Sequence, residues 1–330
     1  MATPASMQGF FVCDILDASP KGDMGSMEHP FFSLSTRPDR TIRHYRRGET
    51  AVTVTPSVRG RATIHDKDIL IYCISQLMAA VNAGRAISRK LTLTAHDLLI
   101  ATRRDTGGDS YTRLREAFER LAGTRITTNI VTGTKDDPTE TTTGFGLIES
   151  WEIVRKTRGG RMVSVSVTLS EWLFRAVQAK SVLTLSRDYF TLRKPLERRI
   201  YELARKHCGH QREWRCSVAS LHEKAGSDAP LRVFRAAVRR MITADGLPDY
   251  EAAEVAGDIV VFSQRRLVVR DEGLPVLDTE TLEAARAAAP GWDIYALEAE
   301  WRGFWVTSGR PRLSKPGKAF LGWLRGRVGR

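Results

Sequence analysis

The chain has 330 residues, 42% of them hydrophobic, and 51 lysines and arginines stand against 38 aspartates and glutamates, a formal charge of +13. This length and apolar content support two or three packed domains and exclude a disordered chain. The cationic excess points to nucleic acid or an anionic surface. No apolar run nears the roughly 18 residues of a membrane span, and no secretory signal is visible, so nucleic acid is the expected partner, without membrane association. Four scattered cysteines (Cys13, Cys73, Cys208, Cys216) make no disulfide framework, which fits a reducing cytoplasm.

In chain order, residues 1–30 read as a mostly loose leader in which only Phe10, Phe11 and Val12 look packable. Residues 31–34 suggest a short edge strand. Five arginines (Arg37, Arg40, Arg43, Arg46, Arg47) then stand beside His44 and Tyr45. That run suits either a flexible arm along phosphates or in a minor groove, or a plain basic loop. Residues 51–55 alternate as a strand that Pro56 ends. A long helix follows over 66–83 with Asp66 as N-cap, then a strand over 87–93 and a helix from Thr94 to Thr102. After a turn at 106–108 comes a helix over 108–123. Strands are expected at 125–131, 145–154 and 162–169, with a polar wing tip over 133–143. A short helix over 170–179 closes the first domain.

The order then starts again. A strand at 182–185 precedes a helix over 195–208 opened by Pro195. A strand at 214–217, a helix at 217–225 and a turn at Gly226 and Ser227 lead to a helix ending near Asp245, with Asp228 as cap and Pro230 in its first turn. Residues 251–264 alternate about Gly257 and Asp258 as a hairpin. Leu274 and Pro275 read as a linker, and three helices are expected at 279–289, 292–306 and 316–327. The expected fold is α+β: two tandem winged-helix domains (helix-turn-helix plus β-wing) over 31–180 and 181–272, and a small helical C-terminal tail over 273–330.

The two turn-following helices share one design. At 100° per residue, Leu231, Phe234, Val238, Met241 and Ile242 fall on one side of the second, with Arg232, Arg235 and Arg239 opposite. In the first, Tyr111, Leu114, Phe118 and Leu121 point inward, and Arg113 and Arg120 outward. An apolar stripe backed by arginines suits a helix docked on a domain and facing DNA, where Arg pairs bidentately with guanine. The candidate DNA contacts are Ser110, Thr112, Arg113, Arg115 and Arg120 in the first copy and Arg232, Arg235, Arg239 and Arg240 in the second, with Arg43, Arg46 and Arg47 from the basic run. Arg232 and Arg235 sit early enough in their helix to read bases; Arg239 and Arg240 suit phosphates.

No phosphate-binding glycine loop is present, nor a His-x-His pair with a catalytic tyrosine, so no catalysis and no cofactor are expected. Asp66 with Asp68, and Asp136 with Asp137, read as a helix start and a polar loop. His207, Cys208, His210 and Cys216 fit no usual zinc spacing, so no metal is expected. In the tail, Trp292, Tyr295, Trp301, Phe304, Trp305, Phe320 and Trp323 suit a small core or a partner-docking surface. Residues 301–330 hold 8 basic residues and no acidic one, so Arg310, Arg312, Lys315 and Lys318 add candidate phosphate contacts.

The stretches FFVCDILDASPKGDMGSMEHPFFSL (from Phe10), ATIHDKDILIYCISQLMAA (from Ala62), LAGTRITTNI (from Leu121), GFGLIESWEIV (from Gly144) and LTLSRDYFTLRKPLERRIYELARKHCG (from Leu183) resemble the replication initiator protein A family of bacterial plasmids. The resemblance covers nearly the whole chain and is weakest in the last 55 residues. It implies two winged-helix domains that bind repeated origin sequences (iterons) in double-stranded DNA, help to open the origin and recruit host replication proteins. It also implies that the segment from Phe10 belongs to the protein, and that monomer and homodimer interconvert. The C-terminal region is the expected contact for a host initiator, helicase or helicase loader. A winged-helix transcriptional regulator or autorepressor without a replication role is the alternative.

Overall fold

The computed structural model describes residues 19–129, 142–155, 162–209, 211, 213–265, 274–275, 277, 279–289, 292, 294–309 and 311–328. Phe10, Cys13, Asp136, Asp137, His210, Arg310 and the wing tip up to residue 141 lie outside them. The fold is mixed α+β. It divides into two units, one from the described residues of Met1–Ala80 and Ala86–Arg265, the other from those of Val81–Arg85 and Arg266–Arg330.

In the larger unit, β1 (Lys21–Asp23) leads into α1 (Met24–Glu28), and β2 (Arg43–Arg47) pairs with β3 (Thr50–Thr55). Next come α2 (Lys67–Asn82), β4 (Lys90–Leu93), α3 (Ala95–Ala101) and α4 (Gly108–Gly123). They are followed by β5 (Arg125–Thr128), β6 (Thr143–Gly146), β7 (Ile148–Arg155), β8 (Met162–Leu169), α5 (Glu171–Gln178) and β9 (Val182–Thr184). A 3-10 turn, Arg187–Thr191, precedes α6 (Pro195–Cys208), β10 (Glu213–Ser217), α7 (Val218–Ala225), α8 (Leu231–Ala244), β11 (Tyr250–Val255) and β12 (Ile259–Gln264).

One topology occurs twice. A long helix, a strand, two helices and a hairpin follow one another as α2-β4-α3-α4-β7-β8 and as α6-β10-α7-α8-β11-β12. In both copies the first strand pairs with the last, giving antiparallel sheets ordered β4-β8-β7 and β10-β12-β11. The first copy also carries a four-stranded sheet, β2-β3-β5-β6. Local chemistry sets the boundaries. The side chains of Thr94, Ser170 and Ser217 accept from backbone N–H groups at the starts of α3, α5 and α7, and Pro195 opens α6. Gly226 ends α7 at φ 63°, where a Cβ would lie 2.4 Å from the Pro30 Cβ, so the turn into α8 requires glycine.

Three expectations are corrected. The segment from residue 19 is not loose: Lys21 to Asp23 are buried, and β1 pairs with β9 in the register Lys21–Thr184. The guanidinium of Arg199 donates to the carbonyls of Ser26 (3.0 Å), Met27 (2.9 Å) and Glu28 (3.1 Å) at the end of α1, and to that of Lys224 (2.7 Å) at the end of α7. Residues 31–34 form no edge strand; Phe31 and Phe32 enter the core, and Ser33 makes one isolated bridge with Thr63. Arg43 to Arg47 are not a free arm but the paired strand β2.

Each copy has its own apolar core. Leu70, Ile74, Leu114, Phe118 and Val167 belong to the first, and Ile200, Leu221, Phe234, Val238 and Phe262 to the second. A buried ionic seam joins α2 to α6. Lys67 Nζ lies 2.8 Å from Glu202 Oε2, and Asp68 Oδ1 lies 2.5 Å from Arg198 Nη1. Arg104 reaches Asp68 Oδ2 at 2.9 Å, and Tyr189 Oη donates to Glu202 at 2.8 Å. Lys67, Asp68, Arg198 and Glu202 are each at most 2% exposed. Removing one partner strands a charge away from water. Asp68→Ala is therefore expected to lose about 3–5 kcal/mol in urea unfolding; a loss under about 1 kcal/mol would mean that the seam is not a constraint.

Beside the seam, burial would raise the Glu28 carboxyl, but hydrogen bonds from His207 (2.9 Å) and Lys224 (2.7 Å) hold it well below its usual range. Burial lowers His29 to about 4, against its adjacent carboxylate. His29 is thus neutral in the folded state over a range where the unfolded chain binds a proton. Stability falls as pH drops from 6.5 towards 4. Between pH 7 and pH 5 the His29 contribution to the loss is roughly 2 kcal/mol. His29→Gln should flatten the urea-measured profile by that amount; an unchanged profile would assign the pH dependence elsewhere.

The smaller unit contains α9 (Thr279–Ala288), α10 (Ile294–Thr307) and α11 (Pro316–Val328), packed on Ala285, Leu297, Trp301, Phe320 and Leu324. Among the described residues no helix is long and apolar enough to cross a membrane.

Candidate nucleic-acid interface

The apolar stripes of α4 and α8 face inward. Leu114, Ala117, Phe118 and Leu121 are buried on α4, and Phe234, Val238 and Met241 on α8; Tyr111, Leu231 and Ile242 are half-buried. The arginine faces therefore look outward, but their surroundings divide the candidate residues into groups.

On α4, Thr112, Arg113 and Arg115 are exposed. Among the described residues Arg115 has one carboxylate partner, the half-buried Glu119 at i,i+4 and 3.3 Å, and Arg113 has none. Ser110 is corrected: at 8% exposed it belongs to the buried first turn of the helix. Arg120 is corrected too. It lies about 20° round the helix from Arg113, yet two turns on it passes the start of α2. There its Nε and Nη2 donate to both oxygens of Asp66 at 2.7 and 2.8 Å. Those hydrogen bonds raise its pKa, and Asp66 is 2% exposed. Arg120 is a packing cation.

The start of α4 opens into a cleft of about 780 Å³. Its lining is rich in arginine and includes three residues that the sequence pattern did not single out as contacts: Arg37, Arg103 and Arg193. Arg103 meets Asp188 at 3.2 Å, whereas the exposed Arg37 and Arg193, like Arg113, have no carboxylate partner among the described residues. Arg37 lies in a loop and Arg193 just before α6, so they join Arg113 only through the fold. Arg37 alone carried a signal, as part of the basic run.

On α8, Arg232 and Arg240 are exposed, with no ion-pair partner among the described residues. Arg235 and Arg239 are not free. Arg235 donates through Nε and Nη2 to both oxygens of Asp258, each at 2.7 Å. Arg239 makes the same two-pronged contact with Glu254, again at 2.7 Å twice. Asp258 sits in the turn of the β11–β12 hairpin and Glu254 on β11. The pairing raises both guanidinium pKa values and lowers both carboxyls, through the hydrogen bonds themselves. Each pairing uses two of the five donors of its guanidinium and fixes the direction in which the rest point. Arg235, expected early enough in its helix to read bases, is thus not a free cation: it ties the hairpin to the helix. The signal was legible as an acidic strand directly after a basic helix.

The basic run lands beside α8. Arg43 grips Asp228, three residues before α8 begins, through Nη1 and Nη2 at 2.7 Å each, and also meets Asp39 at 3.5 Å. Arg43 is thus a link between copies. Arg47, largely exposed, lies 3.5 Å from Glu28, and Arg46 is exposed with no partner among the described residues. On geometry the available cations are Arg46, Arg113, Arg115, Arg232 and Arg240, with Arg37 and Arg193. Arg120→Ala is expected to lower stability by about 1–3 kcal/mol in thermal or urea unfolding, because buried Asp66 loses its main partner; Arg113→Ala should stay within about 0.5 kcal/mol of the parent. The reverse ranking would exchange their roles.

The replication initiator protein A family model matches residues 21–252. A putative replication protein of Wigglesworthia glossinidia brevipalpis is 39% identical over 260 residues, covering 78% of this chain and 93% of the relative. Domains 2 and 3 of RctB align in three dimensions with a TM-score of 0.54 over 73% of this chain and 98% of that structure, at 13% identity. The likeness to RctB concerns the fold. The chain belongs to the replication initiator protein A family.

Proposed function

We propose that this member of the replication initiator protein A family is a non-catalytic initiator of plasmid replication that binds repeated sequences in the double-stranded DNA of its origin. Each α-β-α-α-β-β copy acts as a winged helix, with α4 and α8 as recognition helices and the β11–β12 hairpin as the second wing. The observation that supports this reading most is the repeated topology, which twice puts a basic helix on the surface after a short helix and a turn. In such motifs the N-terminal residues of the second helix meet base edges in the major groove.

The ion pairs refine the roles. Arg232, in the first turn of α8 and unpaired among the described residues, takes the base-reading position. Arg113 is its counterpart on α4. Arg46, Arg115 and Arg240 suit phosphates. Two recognition helices on one unit suit successive major grooves, about 34 Å apart. Several bound copies would strain neighbouring A·T-rich DNA, whose flexible steps deform at lower cost.

A footprint of the purified protein on the DNA flanking its own gene tests the reading: protected repeats are expected, and uniform or absent protection would overturn it. On the protected repeat, Arg232→Ala should weaken binding by about 1–3 kcal/mol and change random-sequence binding much less. Asp258→Asn frees Arg235 for phosphate. Random-sequence affinity should rise, and the salt slope should steepen by about 0.9 log units per log unit of salt. Equal effects of Arg232→Ala on both DNAs would make it a phosphate contact.

A further inference from the structure

The smaller unit carries a surface that its own core does not explain. A run of rings leads from that core to solvent. Trp301 and Phe320, both buried, lie 5.4 Å apart between centroids; Phe320 stacks on half-buried Trp323 at 6.4 Å and 20°; and Trp323 lies 6.5 Å from Phe304 at 32°. Phe304 is 53% exposed, a large apolar ring left in water. Leaving half of such a ring in solvent forgoes the gain from burying it, so the unit's own packing does not account for its exposed side.

On α11 and the segment just before it the charge has one sign. α11 contains Lys318, Arg325 and Arg327 and no acidic residue, and Arg312 and Lys315 precede it. Arg327 has a partner, Glu300 at 2.9 Å. Arg312, Lys315, Lys318 and Arg325 are exposed and have no carboxylate partner among the described residues. On a helical projection, Lys318 and Arg325 lie within about 20° of each other on one edge of the exposed face of α11, and Trp323 lies on the other edge. Between them are Gly322 and Gly326, about 40° apart. A Cβ at either glycine, or at Gly303 beside Phe304, would meet nothing within 4 Å. Packing therefore does not require these helical glycines, which lower helix propensity. They leave a flat strip between a row of cations and a pair of rings.

We propose that this face of the C-terminal unit binds single-stranded nucleic acid, with unpaired bases stacking on Phe304 and Trp323, the sugar-phosphate chain crossing the glycine strip, and Lys318 and Arg325 on its phosphates. Exposed rings beside a cationic track match the two parts of an unpaired strand, a π-face and a polyanion. In a duplex the base faces are already stacked on one another, so paired DNA offers these rings nothing. A protein partner would use the rings as anchors, but the cations would then need acidic complements, whereas a polynucleotide supplies a charge at every residue. The inference does not depend on iteron binding by the larger unit.

The test uses the full-length chain and three probes: a labelled oligothymidylate of about 20 nucleotides, the same length of abasic strand, and a hairpin duplex. Phe304→Ala should weaken oligothymidylate binding by roughly five- to a hundred-fold, leave the duplex unchanged and remove the preference over the abasic strand; Phe304→Trp should restore it. Gly322→Leu places a side chain on the open strip, starting from a Cβ that meets nothing within 4 Å. It should keep or raise the melting temperature while weakening single-strand binding, which separates a lost surface from a lost fold. Unchanged oligothymidylate affinity in both Phe304→Ala and Gly322→Leu would overturn the proposal. So would equal affinity of the parent protein for the abasic strand, or loss in Phe304→Ala of binding to a host replication protein alone.

Discussion

Everything that the two copies can do together depends on the buried charges between α2 and α6. Lys67 with Glu202, and Asp68 with Arg198, are taken almost wholly out of water. Such pairs contribute little net stability against an apolar substitute, but they tolerate almost no displacement. Apolar side chains can slide past one another at modest cost; a desolvated carboxylate that loses its guanidinium cannot. Arg199, one residue along α6, adds four carbonyls from α1 and α7 to the same junction. Arg43 closes a second contact near the start of α8 through Asp228. The relative placement of α4 and α8 is therefore fixed by charge pairing rather than by a linker. The proposed contact with two turns of one double helix would need that kind of placement.

The helices themselves were legible because their signal is local. The stripe of Phe234, Val238 and Met241 and that of Leu114, Phe118 and Leu121 recur at helical spacing, and burial follows directly. Serine, threonine, proline and glycine at the ends place the boundaries within one or two residues. The β1–β9 pairing was not legible. Lys21, Gly22 and Asp23 show no apolar alternation, and their partners lie more than 150 residues away. Asp66 looks in sequence like a helix N-cap and no more, because its larger task is to receive Arg120 from 54 residues downstream.

The same limit explains the candidate interface. Periodicity tells which side of a helix is polar; it does not tell what the polar side meets. Arg113 and Arg120 share a side of α4 and line the same cleft but differ in partner, since only Arg120 is held by the buried carboxylate of Asp66. Arg232 and Arg235 are neighbours on α8, and only the second finds Asp258, 23 residues on. Arg37 and Arg193 reach the cleft from distant parts of the chain, so no window of sequence contains the site.

On the proposed reading, the paired arginines of α8 bear on specificity rather than strength. A helix face with four free guanidiniums would hold any duplex through its phosphates, and that sequence-independent attraction would compete with the proposed repeats. Asp258 and Glu254 neutralise two of the four at the position where the helix meets its hairpin. The remaining cations, Arg232 at the start and Arg240 near the end, are spread along the helix instead of concentrated. In the proposed role, correct sequence would then supply what bulk charge does not, because a discriminating contact acts as a difference between right and wrong partners. The C-terminal helix α11 follows the opposite rule. It has no acidic residue of its own, and most of its cations are left without carboxylates, an arrangement suited to a strand held for its chemistry rather than its sequence.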